Sequence, residues 1–127
     1  MQKVIISAYV SGNAIEENRE RHARLKVDLS KRGYSVSAVA GSYEGQIEDS
    51  YMVSIRPHYP DVADLVSLGK AYGQDSILYI NEYGQAWLYF PDARPALHLG
   101  AWTEIPEEEI HNYPAWTCAR GQYYTTK

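Results

Sequence analysis

Few side chains in this sequence stand at spacings that do chemistry by themselves. The four histidines lie at positions 22, 58, 98 and 111, and Cys118 is the single cysteine. No two of these share the spacing of a metal-ligand pair, so no metal site is expected. There is no phosphate-cradling loop, no dinucleotide fingerprint and no serine in a nucleophile elbow, so no cofactor is expected either. What remains is a carboxylate. Glu48 stands just after the glycine loop Gly41-Ser42-Tyr43-Glu44-Gly45, at the mouth of a strand. Read locally, it is a solvated hairpin residue and the loop an ordinary connection. Gln74-Asp75, after Tyr72-Gly73, reads locally as an exposed polar turn. Glu107-Glu108-Glu109 reads as the solvated start of a helix. At Glu48 and at Gln74-Asp75 the other reading is a functional contact, and Glu48 makes the stronger case.

The elements that must position these groups belong to one domain. A chain of 127 residues with 45% apolar and 22% charged residues can bury a core without staples. The net charge of −4 argues against sequence-independent nucleic-acid binding, which needs clustered basic residues, and leaves an organic cation open as a ligand. A lone cysteine forms no intramolecular disulfide, and a reducing cytoplasm is the simplest home. Residues 1–10 are too short for a signal peptide or a membrane span, and no other apolar run is longer. Twelve Tyr and three Trp stand against one Phe. Amphipathic aromatics of this kind suit surfaces half-buried against a ligand or a subunit, or the rim of a thin core.

Residues 3–10 read as a buried strand. Asn13 caps a helix over 14–32 with Glu16 in capping-box register, and Ile15, His22, Leu25 and Leu29 form its buried stripe. Residues 34–40 alternate as a strand, and 47–55 form the next. In that third strand Ile47, Tyr51, Val53 and Ile55 share one face, while Glu48, Ser50, Met52 and Ser54 share the other. The short loop between them predicts an antiparallel hairpin. A second helix follows Pro60, capped by Asp61 or its neighbour and stopped by Gly73. Strands over 76–80, 85–90 and 96–103 come next, then a helical turn over 107–111. The segment 113–127 reads as a loosely organised tail. With right-handed crossovers, this order predicts a ferredoxin-like βαββαβ α+β sandwich with extra C-terminal strands. Both helices cover one sheet face, and Glu48 lies on the open one, where another subunit is expected.

Taken together, several segments resemble the phage-encoded S-adenosylmethionine lyases, long called hydrolases. They are Ile6-Ser7-Ala8-Tyr9, Glu17-Asn18, Gly41-Ser42-Tyr43, Glu48 leading into Tyr51-Met52-Val53, Gly73-Gln74-Asp75, and Trp102-Thr103-Glu104-Ile105-Pro106. The resemblance spans about Val4 to Glu107. A bacterial family of uncharacterised small proteins shares the Glu-Glu-Asn helix start, the Gly-Tyr before the second strand and the Gly-Gln after the second helix. The Trp102–Pro106 segment favours the lyases.

The lyase resemblance implies a PII-like homotrimer with active sites between subunits, and S-adenosylmethionine as substrate. It places the family's essential glutamate at Glu48, its loop tyrosine at Tyr43 and its polar pair at Gln74 and Asp75. Ser7 and Ser50 join them as substrate-binding candidates. Four residues separate Tyr43 from Glu48, a shorter loop than the family's. The implied reaction is attack of the substrate's own carboxylate on the γ-carbon bonded to sulfur, giving methylthioadenosine and homoserine lactone. It needs no added base, because a carboxylate is ionised at pH 7. In an infected cell's cytoplasm such an enzyme would deprive restriction–modification systems of their methyl donor. Two other functions fit the same residues: a non-catalytic PII-like module binding S-adenosylmethionine or an adenine nucleotide, and a protein-binding phage accessory factor using the tyrosine-rich surface.

Overall fold

The computed structural model describes residues 2–127. It opens with β1 (Lys3–Ile6), α1 (Ile15–Lys31), β2 (Val36–Tyr43), β3 (Gln46–Ser54), α2 (Asp61–Ala71) and β4 (Ile77–Ile80). Then follow β5 (Gln85–Tyr89), β6 (Leu97–Ile105), a short 3-10 helix (Glu107–Asn112), β7 (Ala115–Ala119) and β8 (Gln122–Thr126). All neighbouring strands pair antiparallel, in the closed ring β1-β3-β2-β7-β8-β6-β5-β4.

The architecture is therefore an eight-stranded closed barrel, and the ferredoxin-like sandwich is corrected. The physical reason lies in the last third of the chain. Residues 113–127 form a hairpin, β7–β8, in place of a loose tail. Strand β7 binds the free side of β2, strand β5 binds β4, and β6 and β8 join the two halves. The sheet face expected to await another subunit is covered by the chain's own strands.

The period-2 pattern of β3 sorts residues between two environments. Tyr51 and Val53 face outward with Val4 and Ile6, under a core made with Leu25 and Leu29 of α1 and Leu65 and Leu68 of α2. Glu48, Ser50 and Met52 face the lumen, where Met52 sits opposite Ile5 and Glu48 opposite Gly41. In α2, Gly69 lets the helix approach closely, since a Cβ there would stand 3.0 Å from Ile77 Cγ2 of β4.

Several local expectations change. Helix α1 begins after Ala14 with no side-chain cap, so Asn13 does not cap it. Instead Asn18, buried in the first turn, accepts from the Val10 N–H at 3.0 Å and donates to the Val10 carbonyl at 3.2 Å. Asp61 does not cap α2 either; Pro60 holds that position. The Asp61 carboxylate is 1% exposed and accepts from the Arg56 backbone N–H and guanidinium at 2.8–3.1 Å. That guanidinium holds the carboxyl below its ordinary range. Gly41 lies inside β2, and only Glu44 and Gly45 turn the hairpin. Their φ values of 49° and 85° match a two-residue type I′ turn. Arg120 and Gly121, at 52° and 77°, turn β7 into β8 in the same way.

Candidate functional site

One end of the lumen holds a cavity of about 590 Å³, a volume suited to a small organic ligand. Strands β2 and β3 supply one wall, the β1–α1 loop supplies the mouth, and β4 to β8 supply the far wall.

Glu48 is on the first wall, half-buried. Burial pushes its carboxyl above the ordinary range, and the adjacent Ser7 hydroxyl opposes that rise. No lysine, arginine or histidine among the described residues pairs with it. An anion held out of water without a countercharge is a poor packing choice and a good cation receptor. Ser50, 6% exposed, follows two residues along the same wall. The Ser7 hydroxyl donates to the Asp49 carbonyl at 3.0 Å and accepts from the Tyr9 N–H at 3.1 Å. Tyr43 stands opposite Gln46 at the rim and is 64% exposed, diagonal to Glu48 across the hairpin.

Gln74 and Asp75 do not line this cavity. Gln74 Nε2 donates to the Tyr9 carbonyl at 2.8 Å. It thus grips the β1–α1 connection from outside, as Asn18 grips it at Val10. The Asp75 side chain is 75% exposed and pairs with Arg94 at 2.7 Å. Ser7, Tyr43, Glu48 and Ser50 are brought together; Gln74 touches the mouth's backbone; Asp75 faces solvent.

Other contributors do not stand out in the sequence. Tyr9 lines the mouth, and its hydroxyl donates to Asp49 Oδ2 at 3.0 Å. Burial and that bond push its phenol upward. On the far wall Leu78, Leu88 and Leu99 are apolar, and Trp102 stacks on Tyr124 with centroids 5.4 Å apart and planes 8° from parallel. Three signals exist. Tyr9, Asn18 and Trp102 sit in segments that carry the family resemblance. Tyr124 carries none, because its strand has the look of a tail.

Outside the lumen, the His22 ring stacks on Tyr51 at 4.1 Å and meets Tyr9 edge-on at 5.9 Å. Its Nδ1 is buried without a partner, and desolvation holds its pKa below the ordinary value against the pull of Asp49. Among the described residues no cluster of His, Cys, Asp and Glu is arranged to hold a metal ion.

The cavity thus offers one unpaired carboxylate, hydroxyls beside it, aromatic rings at rim and back, and an apolar wall. It can bind a cation attached to a flat, partly apolar group. No curated protein matches the chain. A family model described as the S-Adenosylmethionine lyase family matches residues 4–127.

Proposed function

The chain belongs to the S-adenosylmethionine lyase family, and on that premise we propose that the Glu48 cavity is where S-adenosylmethionine is held and cleaved. The observation that carries the assignment is Glu48 itself, a half-buried carboxylate with no cationic partner on the wall of a ligand-sized cavity. The substrate brings two positive charges, an ammonium and a sulfonium. Glu48 takes the ammonium in a charge-assisted hydrogen bond. The ring of Tyr43 faces the sulfonium through its π-face. The adenosine lies toward the leucines and Trp102.

The reaction then needs no proton transfer. A carboxylate oxygen of the substrate forms a bond to its own γ-carbon as the carbon–sulfur bond breaks. The bonding pair leaves with sulfur, giving neutral methylthioadenosine, and the lactone keeps the ammonium. Glu48 contributes by fixing the amino acid end so that oxygen and carbon meet in line. Orientation of this kind is worth several kcal/mol, on the order of 7–11 in well-aligned intramolecular cases. The apolar wall displaces water from carboxylate and sulfonium, whose charges partly cancel as the bond forms.

Incubation of the protein with S-adenosylmethionine, followed by chromatography for methylthioadenosine and homoserine lactone, tests this. Both products should appear and should fall steeply with Glu48→Gln. Normal turnover in a folded Glu48→Gln protein would remove Glu48 from the mechanism. Thermal stabilisation by S-adenosylmethionine without product would return the non-catalytic alternative.

Two wider proposals go with this reading. The biological role is counter-defence in the cytoplasm of a phage-infected cell, tested by the plating efficiency of phage carrying active or Glu48→Gln protein on a restricting host. The assembly is a homotrimer, supported by exposed Tyr43 and Ile47 at the mouth, 64% and 60% accessible. Light scattering at three times the chain mass would agree, and a monomer at working concentrations would dismiss it.

A further inference from the structure

We propose that the end of the lumen opposite Glu48 is a second binding site, for a planar ring carrying an anionic group, the chemistry of a nucleoside monophosphate. A separate cavity of about 400 Å³ opens there. It shares Trp102 and Tyr124 with the Glu48 cavity, so the stacked pair is a wall common to both. The Tyr124 hydroxyl donates to Gln122 Oε1 at 2.8 Å, which holds the ring in place.

The polarity of the two ends is opposite. The first cavity carries the Glu48 carboxylate. The second is lined by the cations Lys3 and Arg120 against a single carboxylate, Glu82. Neither cation forms an ion pair among the described residues. Arg120 occupies a turn position with φ of 52°, where Asn, Asp or Gly is the usual choice. Arg120 is one of the residues that line the cavity. Two cations and a flat aromatic pair lining one cavity match an anion attached to a ring.

Trp102 and Tyr124 line both cavities, and the existence of the second site does not depend on the lyase assignment of the first.

Calorimetric titration with adenosine 5′-monophosphate tests the site, with adenosine and inorganic phosphate as the ring alone and the anion alone. The monophosphate should bind at least tenfold more tightly than either part. Lys3→Gln with Arg120→Gln should weaken that binding at least tenfold while leaving methylthioadenosine production within twofold. Glu48→Gln should leave it within twofold. Four results would each overturn the proposal: no monophosphate binding up to millimolar concentration, equal binding of adenosine or phosphate, unchanged affinity in the folded double variant, or loss of binding in Glu48→Gln.

Discussion

At Glu48 burial and function pull in opposite directions. Burial raises its pKa, so the folded protein holds that proton more tightly than the unfolded chain does. The stability from this group is full below the ordinary carboxylate value of about 4.3 and is lost as pH rises through the raised value. Glu48→Gln should therefore melt at the same or a higher temperature at pH 7.5, while kcat/KM falls about 100-fold through the lost charge-assisted bond. The acid limb of kcat/KM should lie above the usual carboxylate range in the native protein and vanish in the variant. His22 has the opposite sign. Its pKa is depressed, so its contribution is present above the ordinary value of about 6.5 and lost as pH falls through the lower one. Asp49 favours the charged ring, and burial and Lys26 oppose it. Between pH 7.5 and pH 5 the urea midpoint should fall further in the native protein than in His22→Phe, which keeps a ring against Tyr51.

Among the elements, closure of the ring depends on one glycine. Gly100 in β6 has φ of 117°, and a Cβ on it would stand 2.3 Å from the Lys127 carbonyl oxygen. That contact is where the chain after β8 locks to β6, through paired bonds between Ala101 and Lys127 at 2.8 and 3.0 Å. Gly100→Ala adds a backbone clash to the strain of a positive φ and should cost about 3 kcal/mol in urea unfolding. Gly121→Ala, in a turn with nothing within 4 Å of the new methyl, should cost about 1 kcal/mol. Equal losses would mean that closure at Gly100 is unimportant. The same elements show what a sequence reveals. The strict alternation of β3 is enough to put Glu48 and Ser50 on one face, because a strand's period is a local property. The β7–β8 hairpin is hidden. Its turn is Arg120-Gly121 in place of Asn-Gly or Asp-Gly, and its strands gain stability only from β2 and β6, which no local pattern announces. Without that hairpin, the far wall of the cavity, Trp102 and Tyr124 included, has no place in the site. Gln74 and Asp75 come from the family resemblance, and the fold sets them beside the mouth and on the surface.

For the whole molecule, the cavity's walls come from β2 and β3 on one side and from β4 to β8 on the other, so it exists only when the ring is complete. Loss of methylthioadenosine production in urea should track loss of tryptophan fluorescence, since Trp102 and Trp116 both line the cavity; an earlier loss of activity would place the reacting groups on a separately unfolding segment. The pairing of β1 with both β3 and β4, and of β2 with both β3 and β7, has one more consequence. An open sheet ends in a margin of unsatisfied backbone donors and acceptors that can template a foreign strand and seed fibrils. A ring of strands has no such margin. The proposed trimer is therefore one held by side chains alone, and Tyr43→Ser with Ile47→Ser should dissolve it while each barrel stays shut.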